Sequence, residues 1–164
     1  MAFRQAALAG MVSDTSLYNI DGACVLGGTA QVQVGQAVGV SEVEVTGTSS
    51  SGAGHKTVVG SGITTANVYG VAVRSHYEAV DGFYRPQEAI NVMTAGRIWM
   101  KTTLSAAPAF GTAITLDATG IVVSSGAVEP AGWTFAGGFI AGTAVQGQPE
   151  PYDGALIEVQ VKQK

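Results

Sequence analysis

Apolar and polar residues alternate most densely between Asn67 and Leu104. Tyr69, Val71 and Val73 fall on one face of an extended chain and Gly70, Ala72 and Arg74 on the other, the period of two that a half-buried strand requires. Asp81-Gly82 reads as a turn, because glycine accepts positive φ and aspartate can bond its own backbone, and Pro86 fixes φ ahead of the next strand. Ile90 and Val92 then alternate with Asn91, Ala95-Gly96 reads as a second turn, and Ile98 and Met100 alternate with Arg97, Trp99 and Lys101. The stretch predicts a meander.

The same period recurs on both sides. Val32 and Val34, Val38 and Val40, and Val43 and Val45 with Glu42 and Glu44 between them predict strands with one apolar and one polar face. Thr46 to Gly62 is rich in glycine and serine and reads as an exposed loop, with a short strand through Val58-Val59. Later, Ile114 and Leu116, Ile121 to Val123, Trp133 and Phe135 on a shared face, and Ile157, Val159 and Val161 against Glu158, Gln160 and Lys162 continue the pattern. The count comes to about ten strands with no secure helix. Residues 1–28 lack such a period. Gly10, Ser13-Asp14 and Asp21-Gly22 break any helix there, so an irregular N-terminal arm, loosely ordered in isolation, is expected before a single β domain over 29–164. The fold class is therefore all-β, a single-domain sandwich or barrel-like (jelly-roll-type) arrangement that closes or doubles its sheets to hide strand edges.

Composition agrees with that class. A chain of 164 residues is long enough to bury a core without disulfides or metals. With 46% apolar and 12% charged residues it can offset the entropy of folding. The formal charge is −4 and the eight basic residues form no cluster, so nucleic acid is not an expected partner. No apolar run approaches the roughly twenty residues of a spanning helix, and no membrane partner is expected. Arg4 and Ala6-Ala7-Leu8-Ala9 echo a signal peptide, but Gly10 and Ser13-Asp14 cut the apolar run short of the roughly 7–15 residues such a signal needs. The lone cysteine, Cys24, reads as a small buried hydrophobe.

Candidate chemistry does not alter the picture. Gly52-Ala53-Gly54-His55-Lys56-Thr57 has the residue types of a phosphate-binding loop, but His55 separates the glycine from the lysine and no helix follows, so a solvated loop is expected. His55 and His76, with Cys24, do not make a zinc ligand set. No Gly-x-Ser-x-Gly elbow marks a nucleophile. Glu42 with Glu44 and Asp81 with Glu88 read as solvated carboxylates, since paired carboxylates act chemically only when their environments drive their pKa values apart. The reading is of a binding or structural protein, not an enzyme, with no cofactor and no metal. Trp99 is out of phase with Ile98 and Met100 and lies between Arg97 and Lys101, so it faces a second packed layer or a partner protein, where Trp and Arg are favoured. A carbohydrate-binding module is the alternative, and it requires Tyr77, Tyr84 and Trp99 to form an exposed aromatic row.

The order Val68-Tyr69-Gly70-Val71-Ala72-Val73, Tyr84-Arg85-Pro86, Ile90-Asn91-Val92-Met93 and Gly96-Arg97-Ile98-Trp99-Met100 resembles the structural cement, or capsid decoration, proteins of tailed bacteriophages. In the turn after the tyrosine-proline segment, where that family has a glycine, this chain has Gln87-Glu88. The resemblance implies a protein of the virion, on the outer surface of the capsid, that binds the major capsid protein across subunit junctions and stabilises the shell. It implies a homo-oligomer, a trimer in first place and a dimer in second, and it carries over no catalytic residues. Under that reading Phe3, Leu8, Leu17 and Tyr18 of the arm, with Tyr84, Arg97 and Trp99 of the sheet, are the expected subunit or capsid contacts.

Overall fold

A computed structural model describes residues 7–45, 54–75, 81–142 and 155–163. The described residues form eleven strands and no helix: β1 (Val12–Leu26), β2 (Val32–Gln33), β3 (Ala37–Val43), β4 (Lys56–Val59), β5 (Val68–Ala72), β6 (Phe83–Tyr84), β7 (Ala89–Thr102), β8 (Thr115–Leu116), β9 (Val122–Val123), β10 (Thr134–Ile140) and β11 (Ala155–Val161). The all-β class follows from the valine and isoleucine alternation, because branched side chains pack well on a pleated surface.

Five of these strands close on themselves. β1 pairs with β4, β4 with β3, β3 with β5, β5 with β7, and β7 again with β1, so the backbone bonds run in a ring. All the pairs are antiparallel except β1 with β4, where Cys24 to Leu26 run beside Lys56 to Val58. Each strand sends alternate residues inward: Cys24 and Leu26 from β1, Val38 from β3, Val58 from β4, Ala72 from β5, and Ile90 and Val92 from β7 belong to one buried cluster. Tyr84, Val32, Val34 and Leu156 complete it. Side chains thus fill a small barrel. Burial pushes the Cys24 thiol up to about 12, the state expected of an inert core cysteine.

A second core lies against the far half of β7. There β11 pairs along the whole run from Gly96 to Thr102, and β10 pairs with β11. Met93, Ile98 and Met100 pack with Ile157, Val159, Val161 and Phe135 in this cluster. Trp133, which shares its face with Phe135, closes it and donates its indole N–H to the Lys162 carbonyl at 3.2 Å.

Two elements differ from the sequence reading. Ala95-Gly96 does not reverse the chain: β7 runs straight through, and Gly96 sits within it at φ +122°. This irregularity switches the inward face, so that Ile90 and Val92 enter the barrel while Ile98 and Met100, of the same parity, enter the second core. The second difference is larger. Residues 12–26, read as part of an irregular arm, form the longest described strand, β1, which belongs to the nine-stranded sheet that holds every described strand but β2 and β6. Its alternation is hidden because its register against β7 shifts four times, between Val12/Asp14, Asp14/Asn19, Asn19/Ile20 and Asp21/Cys24. Of the rest of that arm, residues 1–6 lie outside the described residues.

The turn that departs from the family pattern keeps the geometry of one built on glycine. Gln87 has φ +72°, and the Glu88 N–H donates to the Arg85 carbonyl at 3.1 Å. With Pro86 before it, this is a type II turn carrying a non-glycine residue at the position that needs positive φ. The Glu88 carboxylate accepts from the Arg85 N–H at 2.8 Å, and Asp81 pairs with the Arg85 guanidinium at 2.8 Å. Both carboxylates support the turn.

Candidate contact surface

β1, β7, β11 and β10 lie side by side, and the face of this sheet turned away from the second core carries polar and aromatic residues. Arg97 and Trp99 project from β7 and Glu158 and Gln160 from β11, where Trp99 pairs with Glu158 and Arg97 with Gln160. Trp99 is half-buried and packs against the barrel core, and its backbone N–H donates to the Met11 carbonyl at 3.0 Å. Its indole also lies against Gly138 of β10: a Cβ there would come to 2.4 Å from the ring. Only glycine leaves room for the strand to pass.

Glu158 ties three strands together across this face. Its carboxylate accepts from the Ser13 hydroxyl of β1 at 2.7 Å and from the Gly138 N–H of β10 at 3.0 Å. The second bond holds a bulge, since the residues from Phe135 to Phe139 stand opposite the shorter run from Val159 to Ile157. Between β1 and β10 an open groove of about 730 Å³ remains over Trp99, bordered by Met11, Ser13, Phe139 and Glu158.

Beside the groove, β1 bows outward. Asn19 pairs with Ala95 and Asp14 with Arg97, so residues 15–18 have no room in the ladder. They protrude as a bulge. The Asp14 carboxylate accepts from the Ser16 N–H at 2.9 Å and the Ser16 hydroxyl at 2.6 Å, and these bonds lower its pKa. The Arg97 guanidinium lies 4.0 Å from Asp14 and donates to Gln160 at 3.2 Å, bracing the base. At the crest Leu17 is 86% exposed and Tyr18 49% exposed. Two adjacent large side chains are thus held out in solvent at the crest.

Of the residues singled out in the sequence, this face brings together Leu17, Tyr18, Arg97 and Trp99. Leu8 is half-buried before β1, with its carbonyl accepting from the Met11 N–H at 3.0 Å. Phe3 lies outside the described residues, as do His76 and Tyr77. Tyr84 must be corrected: it is 0% exposed within the barrel and donates its hydroxyl to the Val73 carbonyl at 2.7 Å, so it is a core residue and not a contact. The sequence places Tyr84 wrongly because its polar tip finds an internal acceptor, which makes burial of the whole ring favourable. With Tyr84 inside and Trp99 set in a groove, these two rings do not form the exposed row that sugar binding requires. Glu158 and Gly138 were not singled out, because their partners Ser13 and Trp99 are distant in sequence and no local spacing marks them.

Lys56, read as part of a solvated loop, begins β4 instead and closes the barrel. Its ammonium pairs with Asp21 of β1 at 2.8 Å and stands 5.5 Å from the Tyr69 ring centroid, while the Tyr69 hydroxyl donates to the same Asp21 oxygen at 2.5 Å. Burial raises the Asp21 pKa, but hydrogen bonds from Lys56, Tyr69 and the Ala23 N–H, with the Lys56 charge, outweigh it and hold the carboxyl at about 2. Burial and the Asp21 carboxylate push Tyr69 up to about 12. This cluster staples three strands of the ring, β1, β4 and β5.

The family profile described as structural cement protein (E217 gp24/Pam3 gp6) matches residues 2–162 of this chain. Among solved structures, a chain from "The capsid of Myoviridae Phage XM1" superimposes with a TM-score of 0.60 at 15% identity, over 98% of this chain and 94% of that one. That likeness concerns the fold. No curated protein matches the chain.

Proposed function

The chain belongs to the phage structural cement protein family, and from that premise we propose that it binds the outside of a phage head across junctions between capsid subunits and stabilises the shell. Membership of the family carries the capsid cement role itself; the outer placement and the contact residues are what we propose. The observation that carries this reading is the bulge of β1, which holds Leu17 and Tyr18 out of a stiff sheet with Arg97 at its base. Apolar surface of this kind gains about 25 cal/mol per Å² when a partner removes it from water. The gain per copy is modest. Repetition over many copies on a lattice turns modest contacts into firm attachment. A homotrimer suits a junction where three subunits meet, with a dimer as the second choice, since closed symmetry satisfies identical contacts.

The test is occupancy on purified heads lacking the protein. Leu17→Asp combined with Tyr18→Ala should keep the wild-type melting temperature and lose occupancy, and Trp99 fluorescence should stay native. Undiminished occupancy by a folded double variant would move the contact elsewhere. Light scattering of the isolated protein tests the oligomer: a monomer at high concentration that also stays single on heads removes the trimer.

A further inference from the structure

The margin of the sheet formed by β10 is chemically unlike the rest of the chain. From Thr102 to Gly142 only Asp117 and Glu129 are charged. Both lie beside residues 63–65: the Ile63 N–H donates to the Ala118 carbonyl at 3.1 Å, and the Glu129 N–H donates to the Thr65 hydroxyl at 2.9 Å. β10 stands at the end of the sheet, with β11 on one side. On its other side only its beginning is paired, where the Phe135 N–H donates to the Thr112 carbonyl at 2.8 Å and the Phe135 carbonyl accepts from the Gly111 N–H at 3.0 Å. That pairing stops because the Thr112 N–H closes a turn onto the Ala109 carbonyl at 3.0 Å. Phe139 faces Ile157 as Phe135 faces Val159, so it has the same parity in the ladder and turns its N–H and C=O to the same outer side. Among the described residues no hydrogen bond meets them there.

Large apolar side chains flank this open stretch. Phe110 is 77% exposed, with its ring 3.7 Å from the place a Cβ on Gly137 would take, and Ile140 is 41% exposed. Open edges are ordinarily guarded by charge, proline or a bulge, and β10 has the bulge alone. We infer that the outer edge of β10, from Ala136 to Ile140, pairs antiparallel with the same edge of a second copy about a two-fold axis, each copy covering Phe110 and Ile140 of the other. A second copy fits this edge because an antiparallel edge is complementary to itself. Charge favours the same occupant, since two chains of formal charge −4 repel each other least where the facing surfaces carry none. β1 lies at the opposite margin of the four strands, so the bulge at Leu17 and Tyr18 stays free. The pairing gives the dimer a physical basis that the trimer lacks among the described residues. It belongs to the free protein and does not rest on capsid binding.

Sedimentation equilibrium of the full chain, between about 1 μM and about 1 mM, should show monomer and dimer exchanging with concentration. Hydrogen exchange of the Phe139 amide should slow as the dimer fills, while that of Phe135, already bonded to Thr112, should not change. Phe110→Glu and Ile140→Lys each place a charge on an exposed position of this face. Each should weaken the dimer about tenfold or more at an unchanged melting temperature. An equal mixture of the two variants brings opposite charges together and should associate more tightly than either alone. A chain that stays monomeric at about 1 mM overturns the pairing and leaves the edge to a partner protein. A dimer that both variants form as tightly as the wild type overturns it as well, and so does a Phe139 amide that exchanges at one rate at every concentration.

Discussion

Gly96 and Tyr18 touch so closely that a Cβ on Gly96 would come to 2.7 Å from the Tyr18 Cβ. The glycine at φ +122° thus serves the bulge twice, by taking a backbone conformation that other residues resist and by making space for the residue opposite. Gly96→Ala should meet both obstacles, since alanine is strained at this φ and its methyl has no place to go. A loss of roughly 1–3 kcal/mol is expected. At about 2–4 °C per kcal/mol for a chain of this size, differential scanning calorimetry would read it directly. An unchanged melting temperature would show that the bulge relaxes freely.

Truncation separates the first residues from β1. Removing residues 2–20 deletes the β1 pairings from Val12 to Ile20, together with Ala9 of the barrel core and the Val12 and Ile20 packing on the second core. The lost burial, at about 1.5–3 kcal/mol for a fully buried large apolar side chain, and the lost bonds are comparable with the whole stability of a small domain, about 5–15 kcal/mol. That chain should lose its cooperative thermal transition. Removing only 2–6 should leave it nearly intact. Circular dichroism of the two truncated proteins decides, and a folded 2–20 deletion would mean that β1 is dispensable.

The contrast shows what was legible in the sequence. β5, the two halves of β7 and β11 announce themselves because their apolar residues keep strict alternation over five or more positions. β1 does not. Its register shifts insert extra residues, so the period is broken along the chain even where Cys24 and Leu26 both point inward. The closed ring was equally hidden, since the parallel pairing of β1 with β4 joins residues some thirty positions apart and leaves no mark on local periodicity. Leu17, Tyr18, Arg97 and Trp99 were identifiable as unusual residues, but only the bulge and the groove explain why they share a face. Tyr84 failed because a tyrosine looks the same in sequence whether its hydroxyl meets water or the Val73 carbonyl.

Gln87 offers a stabilising change. At φ +72° it occupies the left-handed region where a side chain is disfavoured by about 1–2 kcal/mol, and it follows Pro86 in a type II turn. Gln87→Gly relieves that strain but gives the unfolded chain more freedom to lose, about 0.5–1 kcal/mol. The balance should be neutral to stabilising by up to about 1 kcal/mol. Chemical denaturation of the variant should give an equal or higher midpoint with the same slope. A clear drop would mean that the Gln87 side chain makes contacts worth more than its strain.

The Asp21 cluster predicts acid sensitivity. The folded carboxyl titrates at about 2 against an ordinary 3.8, so the stabilisation is fully present above 3.8 and is lost as the pH falls from there toward 2. With the side chain 15% exposed, the shift corresponds to an upper limit of about 2 kcal/mol at neutral pH. Asp21→Asn should lower stability at pH 7 and flatten the acid limb of the stability profile. Urea melts between pH 7 and 2 would test this, and an acid limb as steep as that of the wild type would remove Asp21 from the account.

The double engagement of β1 has a mechanical meaning. Its backbone is bonded to β7 along most of its length and to β4 at its far end, and the bulge at Leu17 and Tyr18 lies on the same strand. A tug delivered to that bulge along the strand direction runs across the ladder bonds, which stand at right angles to an antiparallel strand. Many bonds then resist at once in shear, where a pull on a lone hairpin would open them one after another like a zip. A load arriving through Leu17 is therefore passed into the barrel wall before any single bond bears it alone.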